Sequence, residues 1–329
     1  MNDFPGGIDL FLSDAGWGGA DIDPIPGDAS FRRYFRILDG QRKAMLMFAP
    51  PPQEDPAPFL HVAHWLTAHA MRAPEIYAED AAQGWVLIED FGDDRMRDWL
   101  DINPQGEIGA YSDAVQALAQ LHALPAGPFP QYDMAVYTRE AGLLTDWYCP
   151  AMGLDVDVPA YHGAWQETLA PMLDRQQPGV TVLRDYHAEN IMLLGPDQMG
   201  AGRQGLIDFQ DALVGHPAYD LVSLLQDARR DVPLDLERRM IGEYLAAVDA
   251  GPDFMADYAR LGAQRNAKIV GIFARLWKRD GKPRYLPFIP RVWAALERDL
   301  SHPALAPVAA WFDDNIPQEL RDSFGGEIG

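Results

Sequence analysis

The periodicity of the apolar residues changes once along this chain, and that change limits the folds open to it. In the first third, residues 31–38 (Phe-Arg-Arg-Tyr-Phe-Arg-Ile-Leu) and 43–49 (Lys-Ala-Met-Leu-Met-Phe-Ala) read as strands. Asp39-Gly40 between them is a hairpin signal, and Pro50-Pro51-Pro52 ends the return strand. Strands joined by such a turn make an antiparallel sheet. Residues 59–71 place Phe59, Val62, Ala63, Leu66 and Ala70 on one helical face, and 85–88 (Trp-Val-Leu-Ile) form a short apolar strand. Beyond the polar segment Glu89-Asp90-Phe91-Gly92-Asp93-Asp94 the spacing becomes helical, over 111–124, 218–228, 234–250, 254–278 and 290–300. One strand-like island interrupts the helices, at 180–183, 190–194 and 205–208. The expectation is an α+β chain of two lobes. A small antiparallel-sheet lobe spans 1–91, and a larger, mostly helical lobe spans 92–329. No internal repeat is visible.

Composition narrows the class. With 48% hydrophobic residues the 329-residue chain can bury a real core, so its net charge of −22 does not signal disorder. No apolar stretch approaches the ~18–20 residues of a membrane helix. The start, Met1-Asn2-Asp3-Phe4, has no basic segment of the kind that opens a signal peptide. Cys149 is the single cysteine, which removes a disulfide framework and a Cys-rich metal site. These features point to a cytoplasmic protein. The excess of 49 Asp+Glu over 27 Lys+Arg argues against nucleic-acid binding and favours a small-molecule partner, with no membrane and no obligate protein partner in evidence.

The chemistry is concentrated in the island. It contains Arg184-Asp185-Tyr186-His187-Ala188-Glu189-Asn190, followed later by Gly205-Leu206-Ile207-Asp208-Phe209-Gln210-Asp211. Asp208 ends a short apolar strand and Asn190 begins its neighbour, so a carboxylate and an amide oxygen can converge. Hard oxygen donors of low total charge suit Mg²⁺ held together with substrate phosphates. Asp185, five residues before Asn190, falls across the loop, where a base accepting a hydroxyl proton belongs in phosphoryl transfer.

The order D-x-H-x-x-N followed by I-D-F-x-D resembles the catalytic loop and metal motif of the protein-kinase-like fold, in its aminoglycoside-phosphotransferase branch. Further segments are similar to one subgroup, the anomeric kinases of N-acetylmuramate and N-acetylglucosamine. They are Ser30-Phe-Arg-Arg-Tyr-Phe-Arg36, Tyr219-Asp-Leu-Val-Ser-Leu224, Gly271-Ile-Phe-Ala-Arg-Leu276 and Arg279-Asp-Gly-Lys282. The resemblance runs from about Gly27 to Arg291. It implies a bilobal kinase-like fold with ATP in the cleft between lobes, Asp185 as base, Asn190 and Asp208 as Mg²⁺ ligands, and a hinge at Glu89, Asp90 and Phe91 whose backbone meets adenine. The implied reaction moves the γ-phosphoryl group of ATP to the anomeric hydroxyl of an amino sugar, in cell-wall sugar recycling. Other acceptors of the family (an aminoglycoside, choline, homoserine or a pentose) and a silent nucleotide-binding pseudokinase are the alternatives.

Three departures from the family pattern stand out. The strand expected to carry a phosphate-binding cation reads Ala44-Met-Leu-Met-Phe48, with Lys43 only at its edge; Arg32 or Arg33 is the candidate replacement. Those two alternate along a strand, so only one can face the nucleotide. The loop Gly27-Asp-Ala-Ser30, expected to cover the phosphates, has a single glycine, and Leu183 stands where relatives often carry His. His187 reads as a residue that orients a neighbour, and Glu189 and Asp211 as solvated groups or contacts to metal or sugar. Asp220, at the start of a helix, reads as a cap for its free N–H groups. Arg265, Lys268, Arg275 and Arg279 share one side of the 254–278 helix. They are either a solvated face or a contact for an anionic sugar substituent such as a lactyl carboxylate. Trp147, Tyr148, Trp165 and Trp277 are core residues or sugar-stacking surfaces.

Overall fold

In the computed structural model, which describes residues 4–26, 31–195 and 200–326, five strands form one antiparallel sheet. They are β1 (Asp21–Ile25), β2 (Arg33–Asp39), β3 (Arg42–Phe48), β4 (Ile76–Asp80) and β5 (Trp85–Glu89), in the order β1-β2-β3-β5-β4. The hairpin between β2 and β3 closes with Asp39 opposite Arg42 and Gly40 at φ 60°, so the turn signal acts where the sequence places it. Helices α1 (Ile8–Asp14), α2 (Ala57–Ala68) and α3 (Met96–Ile102) accompany the sheet. The Gly27-Asp-Ala-Ser30 segment lies outside the described residues.

Four helices follow: α4 (Glu107–His122), α5 (Met134–Ala141), the single turn α6 (Cys149–Ala151) and α7 (Val158–Arg175). The island supplies β6 (Val180–Val182), β7 (Ile191–Leu193), β8 (Gln204–Leu206) and β9 (Leu213–Gly215). Then come α8 (Ala218–Leu225), α9 (Leu234–Ala247), α10 (Phe254–Lys278), α11 (Ile289–Leu300), α12 (Ala306–Asn315) and α13 (Gln318–Asp322). Among the described residues no helix is long and apolar enough to cross a membrane.

Two compact units result. One comprises Met1–Ile102 with Glu189–Asp211, the other Asn103–Ala188 with Ala212–Gly329. The division therefore falls at residue 102 rather than at 91, and the β7–β8 hairpin belongs with the sheet rather than with the long helices.

Strand alternation gives the sheet two different faces. Phe35 and Ile37 of β2, Ala44 and Leu46 of β3, and Trp85 and Leu87 of β5 form one core with Ile8, Leu12 and Trp17. The opposite face carries Tyr34, Arg36, Met45, Met47, Val86 and Ile88. β1 was not visible in the sequence because its run, Asp-Ile-Asp-Pro-Ile, contains a proline. It is an edge strand, where a missing N–H interrupts no ladder.

In the second unit α10 packs against α8 and α11 and is buried around most of its circumference. Gly271 meets a π-helical turn, Leu144–Tyr148, so closely that a Cβ there would lie 2.2 Å from the Leu143 carbonyl carbon and 2.6 Å from the Leu144 nitrogen. Tyr148 and Trp165 are fully buried, with the Tyr148 hydroxyl donating to the Gly325 carbonyl at 2.8 Å, which makes both core residues.

Backbone atoms cannot yield as a flexible side chain does. Gly271→Ala should therefore destabilise the protein by about 1–3 kcal/mol through overpacking, outweighing the ~1 kcal/mol helix-propensity gain of Ala over Gly. A lowered urea midpoint at unchanged m value is the expected result.

Candidate active site

Antiparallel pairing of β7 and β8 sets Ile191 opposite Leu206. It therefore brings the residue before β7 next to those after β8: the Ile207 amide donates to the Asn190 carbonyl at 3.2 Å, and the Asn190 Nδ2 donates to an Asp208 carboxylate oxygen at 3.3 Å. Gln210 Nε2 holds the other Asp208 oxygen at 3.0 Å. Asp208 sits at φ 59°, a conformation disfavoured for any residue with a Cβ, and its side chain is exposed. Two hard oxygen donors, an amide and a carboxylate, converge here, and among the described residues no trio of His, Cys, Asp or Glu forms a protein-only cage. That donor set fits Mg²⁺ completed by phosphate and water better than a metal held by protein alone.

Glu189, beside Asn190, is ion-paired with Arg97 of α3, and Asp211 is exposed. Phe209, between the two acidic positions, is buried and stacks on Phe59 of α2 with ring centroids 5.2 Å apart, pinning the segment from beneath.

Asp185 lies on a loop of the second unit that follows β6. The loop is held by backbone bonds to a buried carboxylate: Asp220 accepts from the Leu183 amide at 2.6 Å and from the Arg184 amide at 2.8 Å. Asp220 thus reaches out of α8 to the loop instead of capping its own helix, as the sequence suggested. Burial pushes the Asp220 carboxyl up to about 7, and the two amides pull the other way. Arg184 itself adopts φ 71°. Its guanidinium pairs with Glu140 of α5, a buried carboxylate that also binds Lys268 Nζ at 3.0 Å and the Tyr132 hydroxyl.

The field at Asp185 follows from this arrangement. Burial alone would raise its carboxyl, but Lys268, His187, Arg265 and Arg184 outweigh it and hold the carboxyl below the usual aspartate range. His187 is buried, which pushes its ring below the ordinary histidine value, and its Nε2 stands 3.4 Å from an Arg229 nitrogen. Asp227 steadies the same stretch, accepting from the Ala188 amide at 3.4 Å and the Arg229 amide at 2.8 Å.

Arg265 and Lys268 are 3% and 9% exposed, so the basic side of α10 is not a solvated face at these positions. Arg275 is half-buried, and Arg279 is exposed and paired with Asp280 at 2.7 Å. A helix buried nearly all round has no polar stripe. Lys268 is balanced by Glu140 at 3.0 Å, and Glu140, a single acid in an ordinary helix, has no sequence signal.

The expected hinge is built from ion pairs. Glu89 makes a two-pronged pair with Arg72, at 2.5 and 2.7 Å, and Asp90 binds Arg36 Nε at 2.8 Å. The Phe91 ring lies under the Arg72 guanidinium at 4.7 Å and covers Gly205, where a Cβ would sit 2.8 Å from the ring. Arg32, just before β2, and Arg33, its first residue, diverge. Arg32 pairs with Glu54 at 3.3 Å, whereas Arg33 lies 5.2 Å over the ring of Phe35, on the core face. Spacing alone did not single out Glu54 and Arg36 as supports in the first unit, or Asp220 and Asp227 as supports of the Asp185 loop in the second.

Comparison with known proteins identifies the family. The phosphotransferase enzyme family, APH, matches residues 21–262. The N-acetylmuramate/N-acetylglucosamine kinase of Caulobacter vibrioides is 36% identical, across 94% of this chain and 96% of its own. The kinase of the same name from Pseudomonas aeruginosa is 38% identical, across 88% of this chain and 87% of its own. The fold matches that of APH(2″)-IIa in its ternary complex with streptomycin and ATP, with a TM-score of 0.60 at 13% identity over 92% of this chain and 98% of that one.

Replacing Asp220 by Ala leaves two buried amides without an acceptor. Asp220→Ala should lower stability by about 2–6 kcal/mol, at about 1–3 kcal/mol for each orphaned group. Asp220→Asn keeps one acceptor oxygen and should lose roughly half as much. Chemical denaturation of the two variants checks the order; equal losses would mean that the carboxylate does not hold the loop.

Proposed function

The chain belongs to the phosphotransferase enzyme family, as a kinase that phosphorylates a small-molecule hydroxyl, and we propose that it transfers the γ-phosphoryl group of ATP to the anomeric hydroxyl of N-acetylmuramate and N-acetylglucosamine. The observation that carries this reading is the pairing of Asn190 with Asp208, downstream of a loop whose aspartate is kept ionised by surrounding cations. Relatives named for this activity, 36% and 38% identical over most of the chain, support the acceptor. The reading places the protein in the cytoplasm, where ATP is at hand.

The roles follow from the chemistry. Asp185 accepts the proton of the acceptor hydroxyl as its oxygen bonds to the γ-phosphorus and the bond from that phosphorus to the β-phosphate oxygen breaks. A base held below the usual aspartate range is ionised at neutral pH and ready to accept. Asp208 and Asn190 would hold Mg²⁺, which neutralises charge on the β- and γ-phosphate oxygens. His187, buried beside Asp185, orients the loop. Arg265 and Lys268 give the acceptor end a positive field suited to a lactyl carboxylate, and Glu189 and Asp211 flank the metal position.

The direct test is mass spectrometry of the product after incubation with ATP, Mg²⁺ and, separately, N-acetylmuramate, N-acetylglucosamine and an aminoglycoside. Addition of phosphate to an N-acetyl sugar with loss of its reducing end is expected; phosphorylation of the aminoglycoside alone would overturn the acceptor. Asp185→Ala and Asp208→Ala should each lower kcat by about 10²–10⁴-fold or more with thermal unfolding little changed, and an unaltered kcat in either would remove that residue from the chemistry. Because Asp185 must be unprotonated, kcat/KM falls as pH drops through its pKa. Lys268→Met withdraws the leading cation and should shift that acid limb toward higher pH; a limb that does not move would show that the base is another group.

A further inference from the structure

A phosphate tail bound against the Tyr34 face of the sheet needs a cation that β3 does not supply. Lys43 is on this face, but at its far end, exposed and beside Gly92: a Cβ at Gly92 would lie 3.6 Å from its Nζ. Lys43 and Phe48 are five positions apart, about 17 Å of strand. Arg36, also on this face, is spent on Asp90 and Asp93, each at 2.8 Å. Arg33 turns to the core face.

Arg32 differs from all three. It directly precedes β2, and its side chain meets the Tyr34 phenol, at the end of the hairpin opposite Lys43. Its Nε meets Glu54 Oε2 at 3.3 Å, while Glu54 Oε1 accepts from the Phe31 amide at 3.2 Å, so one carboxylate braces both the guanidinium and the backbone beside it. The pair is mostly buried, with side-chain exposures of 14% and 18%. The Tyr34 phenol is hydrogen-bonded to Arg32 and lies within the electrostatic reach of Asp208, which gathers Arg32, Tyr34, Glu54 and the proposed metal ligand into one neighbourhood. Met47 Sδ, 3.5 Å from the phenol oxygen, packs beside it.

Resting on the kinase reading above, we infer that Arg32, braced by Glu54 and Tyr34, is the cation that receives the β- and γ-phosphates of the nucleotide in this chain, in place of a cation within β3. A guanidinium can donate to two phosphate oxygens in one plane. Fixing it before the nucleotide arrives removes ordering entropy from the binding step. Glu54 is a positioning residue: it acts on the phosphates only through Arg32.

Calorimetric titration with adenosine and with ATP, in the presence of Mg²⁺, separates the base from the phosphates. Arg32→Met should weaken ATP by about tenfold or more and raise KM for ATP, while adenosine binds as in the wild type. Arg32→Lys should recover part of the loss. Glu54→Gln should give a smaller loss, and combined with Arg32→Met it should add little, because its effect passes through the arginine. The inference is overturned if Arg32→Met binds ATP as the wild type does, if it weakens adenosine as much as ATP, or if the loss falls on Arg33→Met instead. Failure of the wild type to phosphorylate any acceptor would count against the proposed function and leave the Arg32 titration to be judged on binding alone.

Discussion

Asp220 is the carboxylate on which the Asp185 loop hangs. It is wholly buried, and its two oxygens are taken by the amides of Leu183 and Arg184. A buried acid is tolerable only with such partners, and the partners are held only because the acid is there. The bonds fix the backbone one residue before Asp185 and allow Arg184 its unfavourable φ. From that anchored position Arg184 reaches Glu140, Glu140 captures Lys268, and the cations so gathered set the charge state of Asp185. One side chain thereby couples the geometry of the loop to its electrostatics.

The first unit solves a different problem with the same economy of means. Asn190 and Asp208 are 18 positions apart in the chain, yet the register of two three-residue strands makes them neighbours. Asp208 then leaves the strand in a conformation that turns its carboxylate to solvent, while the next residue, Phe209, is driven into the core against Phe59. The strain at one residue is sustained by burial at the next.

Much of this was legible in the sequence, and the illegible part has physical causes. Strand alternation and the Asp39-Gly40 turn exposed β2 and β3, and helical spacing exposed α10 to its first and last residue, because in each case the pattern and the local turn chemistry agree. The meeting of Asn190 with Asp208 is legible because each borders a short apolar strand of one antiparallel pair. β1 was hidden by Pro24, and α7 by Pro171 within it, since a proline is read as a break even where tertiary packing accommodates it. Helical spacing alone leaves Arg265 and Lys268 open to being a solvated face or a contact for an anionic group. α10 has little solvated face, and the burial of a cation depends on an acid, Glu140, more than a hundred residues away in the chain. Pairings at that range leave no trace in local composition.

The division of the first unit between Met1–Ile102 and Glu189–Asp211 bears on how the protein is made. Phe209 of the late segment stacks on Phe59, Gly205 is covered by Phe91, and the Leu206 amide bonds to the Arg72 carbonyl at 2.8 Å. At synthesis rates of about 5–20 residues per second, roughly 5–20 seconds pass between emergence of the sheet and emergence of the hairpin that completes it. During that interval the nascent sheet carries an unfinished apolar surface. The order of synthesis therefore makes this unit, although it contains the N-terminus, dependent on a segment translated after much of the second unit has already left the ribosome.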